Sequence, residues 1–178
     1  KIPTVSDGYS VNISSDVLSQ AINNTIFATS NDELRPAMTG VYVNLSETNT
    51  TFVATDSHRL IRYRRVDVAA DQGHTMIIPR KALTLLKTTL PSENTNVNME
   101  FNASNAFFNF NNIKMICRLI DERFPDYENV IPVDNNNTIG INKEELLSSL
   151  RRIAIYANKT THQVRLKVTG SELMISAE

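Results

Sequence analysis

The sequence predicts an α+β domain made of two strand-helix-strand-strand-strand halves, with two helices packed on antiparallel sheet. Short runs that alternate apolar and polar residues recur at strand length along the chain. Two stretches with apolar residues at helical spacing each follow one such run. The order of elements then repeats between about Tyr9 and Leu119. Ile13-Ser14-Ser15-Asp16-Val17-Leu18 stands over Ile78-Pro79-Arg80-Lys81-Ala82-Leu83, as in an internal duplication.

Tyr9 to Ile13 alternates as a strand, and Ser14 or Ser15 caps a helix that carries Asp16 in its first turn. Val17, Leu18, Ala21, Ile22 and Ile26 form its apolar stripe, with Gln20, Asn23 and Asn24 opposite. Asn31-Asp32-Glu33 is a loop. Thr39 to Leu45 is a strand, Ser46 to Thr50 a turn, Thr51 to Thr55 the returning strand of a hairpin, and Leu60 to Val68 the next strand. In the second half Thr75 to Ile78 is a strand and Pro79 suits the first helical position. Ala82, Leu83, Leu85, Leu86 and Leu90 line the helix until Pro91 stops it. Val97 to Phe101, Ala106 to Phe110 and Ile113 to Leu119 complete the half. All eight strands are expected in one continuous antiparallel sheet with the helices side by side on one face.

After a linker, Asp121 to Asn137, a third copy begins. Thr138 to Ile141 is its strand, Asn142 with Glu145 makes a capping-box-like start, and Leu146, Leu147, Leu150, Ile153, Ala154 and Ala157 form the stripe. Val164 to Val168 and Leu173 to Ser176 close a hairpin at Gly170-Ser171. The expected organisation is a complete domain over 1–133 and the first half of another over 134–178.

The 178 residues, 41% hydrophobic and 21% charged, have the composition of a soluble globular protein. No apolar run nears the ~20 residues of a membrane span. Lys1-Ile2-Pro3 is no natural start and carries no signal-peptide pattern, so the chain reads as a piece of a longer one. The single Cys117 cannot form an internal disulfide, which favours a reducing compartment. Asn-x-Ser/Thr triplets, at Asn12, Asn23, Asn44, Asn49, Asn102, Asn136 and Asn158, suggest instead a secreted, glycosylated β-rich adhesion module. The asparagine-rich composition accounts for them by chance. A net charge of −1 makes no global case for nucleic acid.

Ala54-Thr55-Asp56-Ser57-His58-Arg59-Leu60 is a polar knuckle between two strand-like runs. Asp56, Ser57 and His58 are hydrolase residue types, but neighbours in an extended chain point to opposite faces, which keeps Ser57 from His58. An Asx-turn at Asp56 explains Asp56 and Ser57 but not Arg59. His58, His74 and His162 lie far apart without ligand spacing, and the five glycines never cluster into a phosphate loop. No cofactor or metal site is expected. Arg80, Lys81 and Lys87 lie outside the apolar stripe of a helix without acids, and Arg151 and Arg152 lie on the third copy's helix. Together they suggest a weakly positive helical surface.

Ala54 to Leu60, Pro79-Arg80-Lys81, Arg123-Phe124-Pro125-Asp126-Tyr127 and Val130-Ile131-Pro132, in that order and spacing, resemble the bacterial DNA sliding clamp family, the beta subunit of DNA polymerase III. The similarity runs over nearly the whole chain. It implies the DNA clamp (processivity) fold and a non-enzymatic, cytoplasmic ring homodimer. Such a ring encircles double-stranded DNA without reading sequence and tethers the polymerase III alpha subunit, the clamp loader and repair proteins through short linear motifs. It further implies a peptide-binding groove of Arg35, Met38, Thr55, His58, Arg59, Leu60, Pro125 and Val130, DNA-facing Arg80, Lys81, Lys87, Arg151 and Arg152, and a subunit joint at Ile155 and Tyr156. Phe124-Pro125 could alternatively serve a buried interdomain contact. Ser57 stands where the family often has glycine, Pro36-Ala37 where aromatics occur, and Asn129 where a basic residue can occur.

Overall fold

The computed structural model describes residues 8–177, so Lys1 to Pro3 lie outside the described residues. The chain divides into two compact units at Val130/Ile131.

The first unit opens with β1 (Tyr9–Ser14) and α1 (Ser15–Thr25). The Ser14 hydroxyl accepts from the Val17 N–H at 3.3 Å, and Asp16 lies in the first turn, so the cap forms where the sequence places it. Leu18, Ala21 and Ile22 are buried, while Gln20, Asn23 and Asn24 face out. Two short 3₁₀ turns, Ile26–Ala28 and Pro36–Thr39, lead to β2 (Gly40–Leu45), β3 (Thr50–Thr55) and β4 (Leu60–Arg65). β4 ends three residues early because Val68 turns into the core, where its carbonyl accepts from the Thr50 hydroxyl at 2.9 Å.

The second half follows as β5 (His74–Pro79), α2 (Arg80–Thr89), β6 (Asn96–Phe101), β7 (Asn105–Phe110) and β8 (Ile113–Arg118). Pro79 is the last residue of β5 and the N-cap of α2 rather than its first helical residue. Leu85 is 57% exposed, off the buried stripe of Leu83 and Leu86.

All pairings are antiparallel, but the strands form two four-stranded sheets, β4-β3-β2-β5 and β1-β6-β7-β8, rather than one continuous sheet. Between them a bond from the Ile120 N–H to the Ile77 carbonyl, 3.0 Å, falls beyond the end of β8. A sheet needs a ladder of such bonds. The two halves exchange their first strands: β1 pairs with β6, and β5 pairs with β2. Each sheet is thus completed by the other half. The inner faces, with Val41, Val43 and Phe52 from one sheet and Val97, Met99 and Phe108 from the other, join the helix residues Leu18, Ile22, Leu83 and Leu86 in one core. Cys117 packs against it, and burial pushes its thiol up to about 11, so it stays protonated at neutral pH.

The second unit contains α3 (Lys143–Ala154), β9 (Arg165–Thr169) and β10 (Glu172–Ser176). Asn142 Oδ1 accepts from the Glu144 and Glu145 N–H groups at 2.9 and 3.2 Å. Gly170 takes φ +60° in the hairpin turn, which favours glycine. The expected strand over Thr138–Ile141 does not form. In the first unit the corresponding strand pairs with the other half, whereas β9 and β10 pair only with each other.

Candidate functional site

The knuckle is built from its own side chains. Asp56 Oδ1 accepts from the His58 and Arg59 N–H groups at 3.1 and 3.0 Å, an Asx-turn, and Asp56 Oδ2 accepts from Arg59 Nε at 3.0 Å. Burial is the largest single influence and raises the Asp56 carboxyl, but the bonds from the His58 and Arg59 N–H groups and the Arg59 charge together outweigh it and hold it below the usual range. The Thr55 hydroxyl donates to the Arg59 carbonyl at 2.8 Å and accepts from the Ser57 N–H at 3.1 Å. Thr55 is buried, so its hydroxyl shapes the turn instead of waiting for a ligand.

Ser57 links the knuckle to the segment before β2. Arg35 Nη1 donates to its Oγ at 2.6 Å, and that hydroxyl lies 3.4 Å from Met38 Sδ. Arg59 lies over the Phe27 ring, 5.7 Å from its centroid, and donates to the Phe27 carbonyl at 2.9 Å. Arg35 and Met38, from the segment before β2, are therefore brought against the knuckle that carries Ser57 and Arg59. The Ser57 hydroxyl engages Arg35 and Met38 instead of His58, so the knuckle does not pair Ser57 with His58 as nucleophile and base.

Ser57 takes φ +75°. Ser57→Gly removes a left-handed penalty of about 1–2 kcal/mol and gives up an exposed hydroxyl bond of about 0.5–1.5 kcal/mol. The expected result is a gain of about 0.5 kcal/mol in a urea melt; a loss above about 1 kcal/mol would show that the bridge to Arg35 outweighs the strain.

Alternation puts Leu60, Thr55 and Gly40 in one row on the outer face of β4-β3-β2-β5, with Arg62, Val53, Tyr42 and Ile77 in the next. The segment after β8 crosses this face. Phe124 stacks on Tyr42 with centroids 4.8 Å apart, and Tyr127 packs beside it at 6.1 Å. Both are buried. Phe124 thus packs within the first unit. Pro125 lines a cavity of about 570 Å³ with Tyr42, Thr75, Phe124 and Tyr127. Met38 and Leu60, half-buried, do not line it, and Val130 is 67% exposed. Of the expected groove residues, Thr55 and Leu60 lie on this sheet face, Pro125 lines the cavity over it, and Arg35, Met38, His58, Arg59 and Val130 come from the turns beside it, so they do not close a single cavity.

Arg80, Lys81 and Lys87 are exposed outside the buried stripe of α2, which has no acidic residue; Arg80 donates to Asn31 Oδ1. Arg151 and Arg152 are exposed on α3, where Arg152 donates to Ser148 and Ser149. Ile155 caps α3 and Tyr156 lies beyond it, both more than three-quarters exposed. The sequence reading missed Phe27 as the rest for Arg59, a contact no periodicity encodes. It also passed over Arg62 and Arg64, which the alternation of Leu60-x-Arg62-x-Arg64 could have exposed.

A crystal structure of the sliding clamp of Bacillus subtilis has this architecture, with a TM-score of 0.91 over 98% of the chain and 47% of its own, at 29% identity. The sliding clamp of Pseudomonas aeruginosa bound to griselimycin gives 0.86 over 99% of the chain and 49% of its own, at 27% identity. The fold is that of a DNA clamp domain. The model of the DNA polymerase III beta subunit, central domain, matches residues 12–126, and the chain belongs to that family. The beta sliding clamp of Bacillus subtilis is 30% identical over 92% of the chain and 43% of its own length, and that of Rickettsia bellii 31% over 94% and 45%. The chain therefore spans less than half the length of these relatives. No helix of the described residues is long and apolar enough to cross a membrane.

Proposed function

We propose that this chain is the middle domain (1–133) and the first half of the following domain (134–178) of a ring-shaped, non-catalytic sliding clamp of the cytoplasm. The clamp acts as the processivity factor of a replicative polymerase. It encircles double-stranded DNA and holds the polymerase, the clamp loader and repair proteins by short motifs. The observation that carries this reading is the gathering of Arg35, Met38, Arg59 and Leu60 at the knuckle, on a face that also receives Pro125, in a chain of this family. Leu60, Met38, Pro125 and Val130 supply apolar contact, while Arg35 and Arg59 supply donors for a carboxamide or backbone. The secreted-module reading has no support in the family assignment.

On this reading the full-length protein binds a labelled peptide carrying a glutamine and hydrophobic anchors, measured by fluorescence anisotropy. Absence of saturable binding would refute the groove. Arg80, Lys81, Lys87, Arg151 and Arg152 then face phosphates in the channel, and Ile155 and Tyr156 lie at the subunit joint. Because the joint needs a first domain, residues 1–178 alone are expected to sediment as a monomer or in a weak non-native association. A tight two-fold ring from this chain by itself would contradict the assignment.

A further inference from the structure

The arginines around the knuckle differ in how they are held. Arg35 is paired with Asp32, Arg59 with Asp56 and Arg65 with Asp67, at 2.8, 3.0 and 2.6 Å. Arg62 and Arg64 have no carboxylate within ion-pair distance among the described residues. Arg64 donates only to the Thr51 hydroxyl, at 3.4 Å. Both are exposed, and alternation sends them out on the face that bears Leu60, while Ile61 and Tyr63 point into the core. At the rise of a strand the two follow Leu60 at about 7 and 13 Å. Arg62 stands opposite Val53, which stands opposite Tyr42, the ring against which Tyr127 packs at 6.1 Å, so Arg62 borders the face crossed by the segment after β8. Of the acids of that segment, Asp126 accepts from Asn129 and Glu128 from Tyr127, and none of them lies within ion-pair distance of Arg62 or Arg64 among the described residues.

We infer that Arg62 and Arg64 form a cationic flank to the groove, and that it selects partners whose apolar anchor is bordered by acidic residues. This rests on the groove reading above. Side chains two to four residues from an anchor seated at Leu60 reach the two guanidinium groups, whose charge has no internal partner to displace.

The test compares two labelled peptides with the same glutamine and hydrophobic anchors, one bordered on both sides by glutamates and the other by lysines, against the full-length protein. Exposed charge pairs of ordinary strength give the acidic peptide an advantage of about fivefold at low salt, shrinking as salt rises. Arg62→Glu with Arg64→Glu should reverse the order, and the paired alanine variant should level it. Equal affinities that Leu60→Ala abolishes would overturn the flank and leave the groove. A preference that survives both arginine variants would place the charge reading elsewhere and equally overturn it. Binding of neither peptide would overturn the groove, and the flank with it.

Discussion

Gly40→Ala is expected to destabilise the first unit by about 2–3 kcal/mol and to lower its Tm by roughly 5–10 °C. A Cβ at position 40 would lie 2.5 Å from the Ile78 carbonyl oxygen, 2.9 Å from Ile77 Cγ2 and 3.0 Å from Ile120 Cδ1. The first is backbone and cannot swing aside. It belongs to β5, whose register with β2 runs from Gly40↔Pro79 to Leu45↔His74, so relief means opening the end of that ladder. The third lies where the chain leaves β8 to cross the sheet, so the substitution also pushes on the segment that brings Phe124 and Pro125 over the outer face. Thermal melts followed by circular dichroism decide this. A midpoint within about 1 °C of the unsubstituted protein would mean that the close approach relaxes at no cost.

Leu60→Ala in the full-length protein is expected to weaken a glutamine-anchored peptide about tenfold or more while the ring stays folded. A leucine-sized apolar contact is worth roughly 1.5–3 kcal/mol, and each 1.4 kcal/mol or so is a factor of ten. Leu60 is half-buried at the start of an edge strand, opposite Thr55, and outside the central core, so its truncation leaves the fold largely intact. Arg80→Ala and Lys81→Ala, on the exposed side of α2, should leave peptide affinity unchanged and reduce only the salt-sensitive attraction to DNA. Anisotropy read beside a melting curve separates the cases: unchanged affinity in a folded Leu60→Ala protein would make the knuckle a structural turn alone.

The candidate site was partly legible. Asp56 read as an Asx-turn because that bond spans two residues and needs nothing from the rest of the fold. Arg35, Met38, Arg59 and Leu60 came from the family resemblance; composition alone could not join them. Thr55, which the resemblance also assigned to the groove, has its hydroxyl bonded within the turn, to the Arg59 carbonyl and from the Ser57 N–H. The order and approximate bounds of the elements, the caps at Ser14 and Asn142, the apolar stripe of α1 and the turn at Gly170 were set by the sequence by itself. Each depends on residues within a few positions of one another, where periodicity and capping act. Which sheet receives β1 and β5, the absence of a strand over 138–141, the exposure of Leu85 and the need for glycine at 40 were decided only in the tertiary structure. A strand pairs with whatever edge the fold brings beside it, and the room beside a Cα is set by a strand more than thirty residues away, so neither quantity is written in the local pattern.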